Sequence, residues 1–209
     1  MKIKRIAYPV FSLGASKRVA IWTVGCNRRC KGCVSQNLQG VDSGYKISVA
    51  EVVEKIKNFK KLNPDLGVTV SGGEPFLQGE LSQLLKEINL LGIEDVLVYT
   101  GYTYEELKSI FPDFESDFQR YIGVLVDGEY IEELNDNKPL RGSSNQRIIF
   151  FKEFLMKKYA SVLNGGRNFS FGESNDGTLD IYGIPPKGFL QNMQKDCLKK
   201  GVKYVYPNK

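Results

Sequence analysis

The sequence contains no histidine. That removes the usual imidazole ligand of a metal site and the commonest general base, so any chemistry here runs on other groups. No apolar run approaches the roughly 20 residues that span a bilayer, and the opening stretch "MKIKRIAYPVFSLGASK" has no apolar core of signal-peptide length. A cytoplasmic protein with no membrane partner is therefore expected. There is no internal repeat, no low-complexity segment and no clear linker in 209 residues, which predicts one domain with one sizeable core. Basic residues exceed acidic ones only by 29 to 24, spread along the chain with short clusters such as "NRRCK". This balance fits a solvated surface or an acidic partner, and no nucleic-acid partner is expected.

Cysteine is scarce as well, but it is not scattered. Of four cysteines, Cys26, Cys30 and Cys33 fall within eight residues, and Cys197 stands far away. In a reducing compartment such a group reads as metal-binding or catalytic before it reads as disulfides. The strand-like "RVAIWTV" (18–24) delivers the chain into this cluster. Ser48 and Glu51 then form a capping-box pattern ahead of Val49, Val52, Val53, Ile56 and Phe59 at helical spacing. "LGVTVSG" reads as a second strand, and Leu81, Leu84, Leu85, Ile88 and Leu91 as a second helix ending before Gly92. A strand at "DVLVYT" (95–100), a helix near Tyr104 to Ile110 and a strand at "YIGVLVD" (121–127) continue the alternation.

Alternating strands and helices predict an α/β fold with a parallel sheet, whose strand C-terminal ends converge on one rim. Cys26 to Cys33, Gly72 to Pro75, Thr100 to Tyr102 and Asp127 all fall at those ends. Farther on, "RNFSFGESNDGTLDIYG" predicts a hairpin with Asn175, Asp176 and Gly177 at its turn. "PPKGFLQNMQKDCLKKG" predicts a helix that starts after prolines and stops at Gly201, with Phe189, Met193 and Cys197 on one apolar face.

Three readings of the cysteine group stay open. Structural zinc needs four protein ligands, so Cys197 or a carboxylate would have to complete it. A redox dithiol would use only Cys30 and Cys33, against the presence of a third cysteine and the strand-to-loop setting. An iron–sulfur cluster on three cysteines leaves one iron open to a non-protein ligand.

The spacing Cys-x3-Cys-x2-Cys after a first strand, followed by "SGGEP" (71–75) at the end of the next, resembles the radical S-adenosylmethionine superfamily. Within it, "CKGC", "VYTGYTYEEL" (98–107) and "LVDGEYIEELNDNKPLRGSSNQRI" (125–148) resemble the activating enzymes of anaerobic (class III) ribonucleotide reductases. The resemblance covers about residues 8 to 150 and implies a partial (β/α)6-type open barrel with about six parallel strands. It divides the chain into a core, 1–150, and a C-terminal extension, 151–209, packed on it.

It also implies a reaction. A [4Fe-4S] cluster on Cys26, Cys30 and Cys33 binds S-adenosylmethionine through its open iron and cleaves it reductively. The adenosyl radical then takes a hydrogen from a glycine of a large reductase subunit, leaving a glycyl radical. The cofactor carries the hard chemistry, which is how such an enzyme does without histidine.

By the same resemblance, Gly72, Gly73 and Glu74 contact the methionine end of the cofactor, with Glu74 accepting from its ammonium. Thr100 and Gly101 contact its ribose or adenine, or form a plain strand-end turn. Asp127 binds a ribose hydroxyl or a cation, or caps the next segment. Arg141, Ser143, Asn145 and Arg147 bind the cofactor or hold the loop that meets the glycine. Trp22 and Tyr99 read as core residues rather than electron relays. Arg28, Arg29 and Lys31 tune the cluster, dock an acidic donor such as a flavodoxin, or are simply solvated. The alternatives are a radical enzyme acting on a small molecule or peptide, such as 7-carboxy-7-deazaguanine synthase, and a non-enzymatic iron–sulfur or zinc module.

Overall fold

The computed structural model describes residues 1–173 and 179–201. The elements, in order, are β1 (Lys2–Val10), β2 (Arg18–Thr23), β3 (Tyr45–Lys46), α1 (Val49–Leu62), β4 (Gly67–Gly72), α2 (Leu81–Leu90), β5 (Val96–Tyr99) and α3 (Tyr104–Ile110). They continue with α4 (Phe114–Asp117), β6 (Val124–Asp127), β7 (Arg147–Phe150), α5 (Phe154–Leu163), β8 (Phe169–Glu173), β9 (Leu179–Gly183) and α6 (Phe189–Lys199).

Seven strands form one mixed sheet in the order β3-β1-β2-β4-β5-β6-β7. Strands β2, β4, β5 and β6 run parallel, with Thr23 beside Gly72 and Tyr99 beside Val126. The flanks are antiparallel: β1 on β2, β3 on β1 and β7 on β6. Where about six parallel strands are expected, the ladder therefore holds four. The cause lies in the connections, because α1, α2 and α3–α4 return the chain across the sheet, whereas 128–146 carries only a short 3-10 turn at Glu132–Leu134 and brings β7 back along β6 in the opposite sense. β1 escapes a periodicity reading because its pairing is broken by irregularities between Ile3 and Arg5 and between Ala7 and Val10.

The predicted capping box is present. Ser48 accepts from the Glu51 amide at 3.2 Å while Glu51 accepts from the Ser48 amide at 3.0 Å. α1 buries Val49, Val52 and Ile56, and α2 buries Leu81, Leu84, Leu85 and Ile88, against Val68, Val70, Val96 and Val98 of the sheet. Alternation along the strands divides them between two faces: Leu125 joins that core, while Leu97, Val124 and Val126 turn to the other face and meet Leu155 and Tyr159 of α5.

A buried charge network pins α5 to the N-terminal ends of the strands. Arg18 opens β2 and gives its guanidinium to Thr69 Oγ1 (2.7 Å), Ala15 O (2.8 Å) and Val68 O (2.8 Å), with Asp95 Oδ1 at 3.0 Å. Tyr159 donates to the same carboxylate at 2.7 Å, and Lys158 lies 3.0 Å from its other oxygen. This cluster stands at the end of the sheet opposite the cysteine loop, where it serves stability.

β8 and β9 form the expected hairpin; its predicted turn, Asn175 to Gly177, lies outside the described residues. In α6, Phe189, Met193 and Cys197 are half-buried on one stripe, as the spacing predicts. Among the described residues no helix is long and apolar enough to cross a membrane.

Candidate functional site

The cysteine loop begins where β2 ends. Its amides are held by the segment that follows it: Gly25 N donates to Leu38 O (2.8 Å) and Cys26 N to Gln39 O (3.0 Å). Arg29 and Gly32 take left-handed conformations (φ 50° and 72°), which fold Cys30 and Cys33 back toward Cys26. All three cysteines are free and half-exposed, and all three line one cavity of about 370 Å³, a size within the range of small-molecule sites.

The glycines of "SGGEP" line the cavity and also serve the packing of the protein itself. A methyl group on Gly73 would lie 2.8 Å from Gly25 C and 2.9 Å from Leu38 O, and closer still to Gly25 O; one on Gly72, at φ 116°, would collide with Thr23. They let the end of β4 lie flat on the cysteine loop, where Gly73 N donates to Thr23 O (2.9 Å) and Glu74 N to Gly25 O (2.8 Å).

Glu74 is 1% exposed, and protein donors already reach its carboxylate. Oε1 accepts from Phe76 N (3.0 Å) and Thr100 Oγ1 (2.9 Å), and Oε2 from Gly101 N (2.7 Å). Burial nonetheless raises its pKa above the ordinary carboxylate value. Glu74 therefore ties the end of β4 to the turn after β5, and of its roughly four acceptor positions about one remains for a ligand.

Thr100 and Gly101 are in the cavity wall. The Thr100 hydroxyl is already committed to Glu74 and to the Tyr102 amide (3.1 Å). The next turn also clamps the cysteine loop from outside. Asn27 Nδ2 donates to Tyr102 OH (2.6 Å), and the Arg28 guanidinium sits 4.2 Å from the Tyr102 ring centroid and 2.5 Å from Glu106 Oε2.

Four candidate cofactor contacts have protein partners that match the structural alternatives left open for them. Asp127 is buried and accepts from Tyr104 N (2.7 Å) and from the guanidinium of Arg147, so that it caps α3 and joins β6 to β7. Arg141 pairs with Asp136 at 2.6 Å. Ser143 Oγ accepts from Ile131 N (3.1 Å), and Asn145 Nδ2 donates to Glu129 O (2.8 Å). None of the four lines the cavity. The polar density of "RGSSNQR" folds the 128–147 loop on itself.

From that loop the cavity wall takes Gly128, Tyr130, Glu132, Asn135, Gly142 and Gln146, and the Gln146 amide donates to Gly128 O (2.7 Å) and accepts from Gly142 N (2.7 Å). Trp22 and Tyr99 pack on the core as expected and also face the cavity. Tyr130, Arg167 and Ile184 line it too, with no signal in the sequence that singles them out.

The thiols suit a cluster. Burial, with the neighbouring cysteines adding to it, pushes Cys33 up to about 11; burial likewise raises Cys30, with Glu129 and Cys26 adding to it. A cationic iron centre relieves both costs. Among the described residues no group of three or more Cys, Asp or Glu side chains is arranged to hold a single metal ion. An iron–sulfur cluster asks for something else, since each cysteine binds its own iron and the sulfurs ring the cluster rather than converge on a point. Cys197 does not line the cavity, so no fourth cysteine is at hand.

The sequence matches the family described as 4Fe-4S single cluster domain over residues 12–149. It is similar to the anaerobic ribonucleoside-triphosphate reductase-activating protein of Enterobacteria phage T4, at 30% identity over 146 residues, covering 68% of this chain and 89% of that protein. The Vibrio cholerae protein of the same name is 32% identical over 148 residues, 68% of this chain and 93% of that one. The corresponding Escherichia coli K12 protein is 30% identical over 148 residues, covering 68% and 94%.

Proposed function

The chain belongs to the 4Fe-4S single cluster family and, with it, to the anaerobic ribonucleoside-triphosphate reductase-activating proteins, and from that premise we propose that it is a glycyl-radical activase. Its protein substrate is the large subunit of an anaerobic ribonucleotide reductase. The observation that carries this is the meeting, in one cavity, of Cys26, Cys30 and Cys33 with Gly72, Gly73 and Glu74 and without the fourth cysteine.

In this reading Cys26, Cys30 and Cys33 hold a [4Fe-4S] cluster, and S-adenosylmethionine lies in the cavity beside it. When bound, the cluster supplies the electron that breaks the sulfonium bond, and the radical so formed takes a glycine hydrogen from the reductase. The protein's residues position and shield. Glu74 fixes the turn at Thr100 and Gly101 and offers its remaining acceptor position to the methionine ammonium. Arg28 keeps positive charge beside the cysteine loop, and with Arg29 and Lys31 it makes a basic landing for an acidic low-potential donor such as a flavodoxin. We read the open sheet as an incomplete barrel of the radical S-adenosylmethionine kind, with 1–150 as its core and 151–209 as a C-terminal extension. Such chemistry belongs in the cytoplasm.

The test is anaerobic reconstitution with iron and sulfide, reduction, addition of S-adenosylmethionine and assay of 5′-deoxyadenosine, followed by mixing with the reductase subunit and recording its electron paramagnetic resonance spectrum. A glycyl radical on the reductase that is lost with Cys30→Ala supports the reading. Repeated turnover of a small molecule without any partner would replace it with the small-molecule enzyme. No 5′-deoxyadenosine from cluster-loaded protein would leave a binding module.

A further inference from the structure

The family match ends at residue 149, yet part of the cavity wall comes from much later in the chain. Ile184, Pro185, Pro186, Lys187 and Leu190 line the same cavity as Cys26 and Glu74. Both ends of this segment are fastened to the core. At its start, Ser12 Oγ donates to Tyr182 O (2.7 Å), the Tyr182 ring lies 5.2 Å from that of Trp22, and Gly183 at φ 115° packs so closely that a methyl group would reach Phe169 Cα at 2.9 Å. Farther along, Arg167 Nη1 donates to Pro185 O (3.1 Å) while Nη2 donates to Arg141 O (2.7 Å) and Gly142 O (2.8 Å), and Nε to Lys138 O (3.1 Å). Lys187 N donates to Asn137 Oδ1 at 2.8 Å.

Arg167 thus acts as a latch. Its partners are four backbone carbonyls, and burial lowers its pKa, so its charge serves geometry. Behind the latch, two consecutive prolines give a stiff wall that loses little entropy when a ligand arrives. The wall has an apolar stretch: Ile184 and Leu190 are half-buried, and Leu13, Trp22 and Tyr99, which share a core cluster with Tyr182, continue the apolar lining. On the cysteine loop, Gly32 contributes no side chain, and the Glu132 carboxylate lies beside it. The apolar stretch made by Leu13, Trp22, Tyr99, Ile184 and Leu190 takes the flat faces of a heterocycle.

We propose that residues 183–191 form a binding wall for the adenosyl part of S-adenosylmethionine, with Arg167 as the positioning residue that holds it in place. This rests on the function proposed above. The test measures equilibrium binding of S-adenosylmethionine to the oxidised, cluster-loaded full-length protein, so no turnover is involved. Ile184→Ser and Arg167→Ala are each expected to weaken binding about tenfold while iron content stays at the wild-type level. Amide hydrogen exchange in wild type keeps the test independent of how the variants fold: the peptide containing 183–191 should slow when the ligand is added. Wild-type affinity in both variants, or an unchanged exchange rate in that peptide while the Gly72–Glu74 peptide slows, overturns the wall. Absence of any binding by the loaded wild-type protein sinks the functional reading itself, and the wall with it.

Discussion

Gly73→Ala separates two uses of the same glycine. If the residue is there so that a ligand can approach the backbone, alanine should weaken cofactor binding and leave the empty protein unchanged. The structure sets a different expectation. The added carbon would lie 2.8 Å from Gly25 C and 2.9 Å from Leu38 O, against about 3.5–4.0 Å for comfortable carbon contacts. These are backbone atoms, and they cannot swing aside. Relief by roughly 1 Å would pull on the bonds from Glu74 N to Gly25 O (2.8 Å) and from Gly25 N to Leu38 O (2.8 Å). Overpacking of this kind costs about 2–3 kcal/mol, or roughly 4–12 °C in the melting temperature of a chain this size. The assay is thermal unfolding of the cluster-free protein, followed by iron content after reconstitution, with Gly79→Ala as control because a methyl there meets nothing within 4 Å. We expect the Gly73 variant to melt early and load little iron, because Cys26 directly follows the displaced Gly25. An unshifted melting temperature together with lost S-adenosylmethionine binding would refute the reasoning.

Glu74→Gln should destabilise the protein by about 1–3 kcal/mol, since an amide nitrogen must then face the donor Phe76 N or Gly101 N. Burial raises the Glu74 pKa, so folding takes up a proton; that contribution to stability falls as pH rises from about 4 upward, and urea midpoints should show the slope disappear in the glutamine variant. The Arg147 guanidinium holds Glu105 down to about 2, which has the opposite sign. Its contribution is present above the ordinary carboxylate pKa and lost as pH falls toward about 2, so Arg147→Met should make acid unfolding begin at higher pH, read by circular dichroism. Arg18→Met leaves Asp95 short of a buried partner and should cost about 3–5 kcal/mol by urea titration. Because that network stands at the far end of the strands, the folded variant should still bind S-adenosylmethionine as wild type does, and a weakened affinity would contradict this separation.

Much of this protein was legible in its sequence. Cys26, Cys30 and Cys33, the "SGGEP" turn and the capped helix at Ser48 declare themselves through spacing over a few residues, and alternating strands and helices then bring strand ends to one rim. Local periodicity therefore determined the α/β class, the order of the central elements and the cysteine and glycine motifs of the site. Tertiary structure decided the rest. It turned Asp127 toward Arg147, folded Arg141, Ser143 and Asn145 into their own loop, closed three donors onto Glu74, and carried Ile184 and Arg167 across the molecule to the cavity. The physical reason is that a polar side chain takes whatever donor or acceptor packing brings beside it, and those partners lie 18 to 29 residues away even for the short-range case of Arg167 latched to Lys138, Arg141, Gly142 and Pro185, as against 177 residues from Arg5 to Tyr182. Spacing records which residues share a turn; only the folded chain records which turns share a cavity.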